Sequence, residues 1–188
     1  MLFRSVKPGN YSVVFSYGEY SKESSFSILP DPRHTTSSED FNRKESLLNK
    51  IHLDIDDIYE SLTKMQDARF QIKDLQNRLG TEYSEIVTLS KETLDLIDET
   101  ELKLISPKQK TFQDVINFRN QLDAQLMDLL STVNRNAPPI TNGQLERYED
   151  LHNMWIDIKI SYDKVLSNIS SINSMLIESS VPYISKGQ

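Results

Sequence analysis

The chain has 188 residues, 37% apolar and 26% charged, with 5 Gly, 7 Pro, no Cys, and a net charge of −7 from 21 basic and 28 acidic side chains. This is enough for one domain, or one domain and a fragment, with a real core, and the absence of cysteine excludes disulfides, thiolate metal sites and cysteine nucleophiles. The acidic balance argues against unaided binding to a nucleic-acid backbone, and no apolar run approaches the roughly 18 residues of a membrane-spanning helix.

The first segment, Met1-Leu2-Phe3-Arg4-Ser5, has no apolar stretch that would serve as a signal peptide. Tyr11, Val13, Phe15 and Tyr17 then alternate with Ser12, Val14 and Ser16, the period of a half-buried strand. Gly18 breaks the run, a turn is expected from Gly18 to about Lys22, and Phe26 and Ile28 alternate again before Pro30. Pro30-Asp31-Pro32-Arg33 denies strand pairing and reads as a linker. An isolated hairpin is marginal in water, so residues 1–30 are expected to be the last strands of a truncated β-domain, followed by a linker over 31–36. The alternative is a hairpin appended to the helices.

From about residue 37 the apolar period becomes helical. Thr36…Glu39 and Ser37…Asp40 are both spaced as capping boxes for a first helix. Its expected seam is Leu48, Ile51, Ile55, Ile58, Leu62, Met65, Arg69, Ile72, Gln76 and Leu79, with Gly80 as C-terminal cap and Thr81 opening the next helix. The second helix, about Glu82 to Ile105, keeps Tyr83, Val87, Leu94, Ile97 and Leu104, interrupted by Ser90 and Glu101, and ends at Ser106-Pro107. Thr111…Asp114 is spaced as a cap for a third helix carrying Val115, Phe118, Leu122, Leu126, Leu129 and Val133. Asn134 to Ile140, with Pro138-Pro139, reads as a loop.

Thr141…Gln144 opens the last helix, whose seam is unbroken: Leu145, Tyr148, Leu151, Trp155, Ile158, Tyr162, Val165, Ile169, Ile172 and Leu176. The expected fold is therefore mainly α: an antiparallel up-down-up-down four-helix bundle over 37–180, preceded by a short β-hairpin, with 181–188 as a tail.

Four features are weighed as chemistry. Glu149-Asp150-Leu151-His152 is a Glu-x-x-His, the spacing that di-iron bundles use, because i and i+3 side chains share a helix face. Such sites need a second copy of the motif. His52 has Asn49 three residues before it and His34 lies in the linker, so His152 is read as a residue flanking the seam. The acids Asp54, Asp56, Asp57 and Glu60, and Asp95, Asp98, Glu99 and Glu101, are expected on outer, solvated faces. Tyr148, Trp155 and Tyr162, seven apart, are expected in the core. Asn10-Tyr11-Ser12 and Asn168-Ile169-Ser170 match the glycosylation acceptor by chance. No catalytic, cofactor-binding or metal-ligating residue is assigned.

The run Pro8-Gly9-Asn10-Tyr11-Ser12-Val13, followed by Leu29-Pro30-Asp31-Pro32-Arg33, the Ile72-Lys73-Asp74-Leu75 stretch and Thr141…Leu145…Tyr148-Glu149, resembles the C-terminal region of bacterial sortilin-like, BNR-repeat "glycosyl hydrolase" proteins. The resemblance implies a large upstream β-propeller, a small β-domain ending in this hairpin, and a helical region of non-catalytic accessory role as spacer, stabiliser or docking surface. It implies a periplasmic or secreted parent, a start inside a longer protein, and two kinds of partner, the parent's own propeller and another protein. The propeller's Asp-box repeats lie outside these residues, so no site residue carries over. Two rival readings are an intracellular adaptor bundle of spectrin type, made for protein–protein contact, and a part of a glycoside hydrolase that contributes to substrate binding.

Overall fold

The structure is a computed structural model and describes residues 6–33, 35–79 and 83–179, apart from the side chains of residues 112 and 113. Gly80, Thr81, Glu82 and His34, singled out in the sequence, lie outside the described residues.

Two antiparallel strands open the chain, β1 (Gly9–Tyr17) and β2 (Tyr20–Ile28), joined by a two-residue turn at Gly18–Glu19. Gly18 has φ +58°, the left-handed value that a primed hairpin turn demands and that glycine adopts without cost. The turn is thus shorter than expected, and β2 starts at Tyr20 because polar Ser21 to Ser25 pair with the outer half of β1. Lys7 ties the hairpin base to the first helix through Glu45 at 2.7 Å and Asn42 at 3.0 Å.

Four helices follow: α1 (Ser38–Arg78), α2 (Ser84–Leu104), α3 (Leu122–Arg135) and α4 (Asn142–Glu178). The mainly α class, with four helices behind a hairpin, is as expected from the sequence. Both long helices start on closed capping boxes, Ser37 with Asp40 and Thr141 with Gln144. Thr36 is not the cap; its hydroxyl turns to the Pro138 carbonyl instead. α1 has 41 residues and α4 has 37, so each runs roughly 55–60 Å at about 1.5 Å per residue.

The helix directions do not alternate. Asp54 of α1 meets His152 of α4, and Asp57 meets Trp155, so the two long helices advance in step and are parallel. Arg69 meets Asp98 and Glu101 while Gln66 also meets Glu101, which makes α2 antiparallel to α1. Lys44 meets Asn134 and Asn136 while Tyr59 meets Asp123, which makes α3 antiparallel to α1 as well. The order is up-down-down-up. α2, of 21 residues, and α3, of 14, lie end to end and together match the length of α4. Apart from the break between α2 and α3, the rod therefore has three helices in cross-section. The reason is coverage: a 21-residue α2 leaves Leu47, Leu48 and Ile51 at the lower end of α1 bare, and α3 must continue downward to bury them.

The excursion between α2 and α3 includes Val115 and Phe118, which the spacing had placed on the third helix. Phe112–Ile116 is a 3₁₀ turn with its own capping box, Thr111 with Asp114, and α3 starts only at Leu122. Gln109 fixes the excursion by donating to the Phe118 carbonyl at 2.8 Å and to Asn120 Oδ1 at 3.0 Å.

The core follows the seams with two changes of phase. On α1 the buried positions after Met65 are Ala68, Ile72 and Leu75, so the stripe moves one residue N-terminal of the expected Arg69 and Gln76. On α2 the buried set is Ile86, Ser90, Thr93, Ile97, Thr100 and Leu104, while Val87 and Leu94 sit half-buried at the edge. The α4 seam is buried as expected from Tyr148 to Leu176, with Leu145 packed at its end.

Candidate functional site

The chemistry-bearing side chains gather in four places: the α1–α4, α1–α2 and α1–α3 interfaces, and the open face of the hairpin. Along α1 and α4, two clasps lie one helical turn apart. In the first, His152 Nδ1 lies 2.8 Å from Asp54 Oδ2, and since an ionised carboxylate can only accept, the ring N–H donates. The His152 ring stacks on Tyr148 with centroids 5.5 Å apart. Burial, and then the Asp54 carboxylate that its hydroxyl reaches, push the Tyr148 phenol well above its usual range. In the second clasp Trp155 Nε1 donates to Asp57 Oδ2 at 3.0 Å, and the Lys159 ammonium donates to the same oxygen while lying 5.5 Å from the centre of the Trp155 ring. The Asp57 partner raises the Lys159 pKa above its ordinary value.

This corrects the reading of the acid cluster. Asp54 is 8% exposed and Asp57 is half-buried, both turned toward α4, whereas Asp56 and Glu60 do face solvent. The Glu-x-x-His does not act as a pair: Glu149 is exposed, and His152 meets Asp54 and Tyr148 instead. Among the described residues no group of three or more His, Asp or Glu side chains converges to hold a metal ion.

Across α1 and α2, Arg69 binds Asp98 at 2.7 Å and Glu101, and Gln66 donates to Glu101 at 2.8 Å. Asp98 and Glu101 were expected on the outer face; Glu101 instead closes this network, and the two seam interruptions, Arg69 and Glu101, answer each other. Burial works against the Glu101 charge, yet the hydrogen bonds from Arg69 and Gln66 hold its carboxyl below the usual range. Ser90 is fully buried, and among the described residues its hydroxyl has no hydrogen-bond partner. Lower down, Tyr59 donates to Asp123 at 3.0 Å; burial and then the negative charge push the phenol up to about 12.

The hairpin gathers its aromatic side chains on one face. The register pairs Tyr11 with Phe26 and Tyr17 with Tyr20, and places Val13 and Phe15 between them. Ser12, Ser16, Ser21, Glu23 and Ser25 line the opposite face with Val14. Phe15 is 63% exposed, Tyr17 80% and Tyr20 58%. Tyr11 and Phe26 stack with ring centroids 6.0 Å apart.

Among the described residues no helix is long and apolar enough to cross a membrane. No family model, curated protein or solved structure matches this sequence.

Proposed function

We propose that the chain is a non-catalytic accessory module: a stiff three-helix rod that sets a distance and offers a docking surface, joined to the closing strands of a β-sandwich. The observation that carries this is the hairpin face of Tyr11, Val13, Phe15, Tyr17, Tyr20 and Phe26, largely bare to solvent. A two-stranded sheet is marginal alone, and a run of exposed aromatic side chains on one of its faces marks a surface made to be covered. The remaining strands of the β-domain are the proposed cover. The clasps support the rod reading, since His152 with Asp54, and Trp155 and Lys159 with Asp57, bond across the two long helices and lock them in register. The resemblance to sortilin-like β-propeller proteins supplies the context, a C-terminal position in an exported parent.

Hydrogen exchange tests this. In the 188-residue chain, amides of 9–28 should exchange far faster than those of α4, and should become protected when the upstream segment of the parent is included. A hairpin as protected as α4 in the 188-residue monomer contradicts the reading.

The three-helix cross-section favours a second reading, an adaptor bundle of spectrin type that works inside the cell. An upstream reading frame without an export signal or a propeller would select it.

A further inference from the structure

Where α2 stops and α3 begins, the interrupted helix leaves an open groove of about 380 Å³ against α4. Met154 and Ile158, one turn apart, supply its apolar part, and Lys103, Arg119, Gln121, Gln125 and Asp157 complete the lining. Lys103 comes from the last turn of α2 and Arg119 from the excursion, so the break in the helix brings the two cations together. Arg147 adds a third, donating to the Oε1 of Gln125 in the groove wall. Among the described residues neither Lys103 nor Arg119 has an ion-pair partner, in a protein whose net charge is −7. Leu102, Val115 and Ile116, beside these cations in sequence, are 55%, 48% and 83% exposed.

We propose that this groove docks an acidic peptide segment of a partner protein, with one apolar anchor seated between Met154 and Ile158 and carboxylates paired to Lys103 and Arg119. Three arguments fix the occupant. The cations ask for negative charge, and their guanidinium and ammonium groups suit carboxylates. The apolar floor is one helical turn long, enough for one or two side chains of an extended or helical peptide. The groove is open along its length, which suits a chain segment better than an enclosed small molecule. The proposal names the partner chemistry for the docking half of the function above and does not depend on the hairpin.

The test is fluorescence polarisation with a fluorescein-labelled hexapeptide, Asp-Glu-Leu-Phe-Glu-Asp, at low salt, and the basic analogue Lys-Arg-Leu-Phe-Arg-Lys as control. The acidic peptide should bind and the basic one should not. Lys103→Glu with Arg119→Glu should weaken binding by at least about tenfold, Asp157→Asn should strengthen it, and Lys73→Glu with Lys91→Glu, exposed and away from both the groove and the hairpin, should leave it unchanged apart from long-range charge. Lys73, Lys91, Lys103, Arg119 and Asp157 are all exposed, so circular dichroism should report the same fold in every variant. Equal binding by the groove and remote variants, or no binding of the acidic peptide at millimolar concentration, overturns the groove. Either result leaves the hydrogen-exchange test of the hairpin standing.

Discussion

Trp155 Nε1 donates to Asp57 at 3.0 Å across the α1–α4 interface, and the Trp155 side chain is 1% exposed. The single tryptophan thus joins apolar packing and a hydrogen bond at one point. Truncation to alanine loses transfer energy, opens a cavity and leaves Asp57 to Lys159 alone, so Trp155→Ala should cost about 3–5 kcal/mol. Urea melts measure this. The indole should emit blue-shifted light and resist iodide quenching.

His152 and Asp54 should couple energetically, whereas His152 and Glu149 should not. A double-mutant cycle on Asp54→Ala and His152→Ala should give an interaction of about 0.5–2 kcal/mol. Glu149→Ala should stay within about ±0.5 kcal/mol and show no coupling to His152→Ala. Coupling to Glu149 in its place would restore the Glu-x-x-His as a functional pair.

Ser90→Ala should stabilise the protein by about 1 kcal/mol. The buried hydroxyl has no partner, so its removal ends a desolvation cost, and alanine is the better helix former. A thermal melt reads the gain directly, and a loss would mean that the hydroxyl is bonded.

The Arg69–Glu101 pair makes stability depend on acid. The folded Glu101 carboxyl lies below its ordinary value, so its contribution is present above the usual carboxylate range and is lost as pH falls through the folded value. Arg69→Met should therefore cost about 1–3 kcal/mol at pH 7 and clearly less at pH 3, as urea melts at both pH values would show. An equal cost at both would assign the effect to packing of the arginine stem.

What was legible in the sequence is what local spacing encodes. The α4 seam repeats without a gap, and the boxes at Ser37, Thr111 and Thr141 need only neighbours three residues away. The α1 phase change was hidden because Ala68 is small and Met65 can serve either stripe. Val115 and Phe118 continue the spacing of α3, and nothing local shows that Gln109 pins that stretch outside the helix. Asp54 looked like an outer-face acid because its partner lies 98 residues away. The direction of α3 was equally hidden, since the stretch linking it to α2 is long enough to reverse the chain or to continue it.

The parallel course of α1 and α4 is the relationship on which the rod, its clasps and its groove all depend. With no native cysteine, spin labels can be placed cleanly at exposed positions. Pulsed electron resonance on Lys50→Cys with Glu149→Cys, and on Lys73→Cys with Ser171→Cys, should give short distances of about 20 Å. Lys50→Cys with Ser171→Cys should give a separation above roughly 30 Å, from the axial rise between their levels. A short distance for that last pair and long ones for the first two would mean antiparallel long helices and would contradict the structure described.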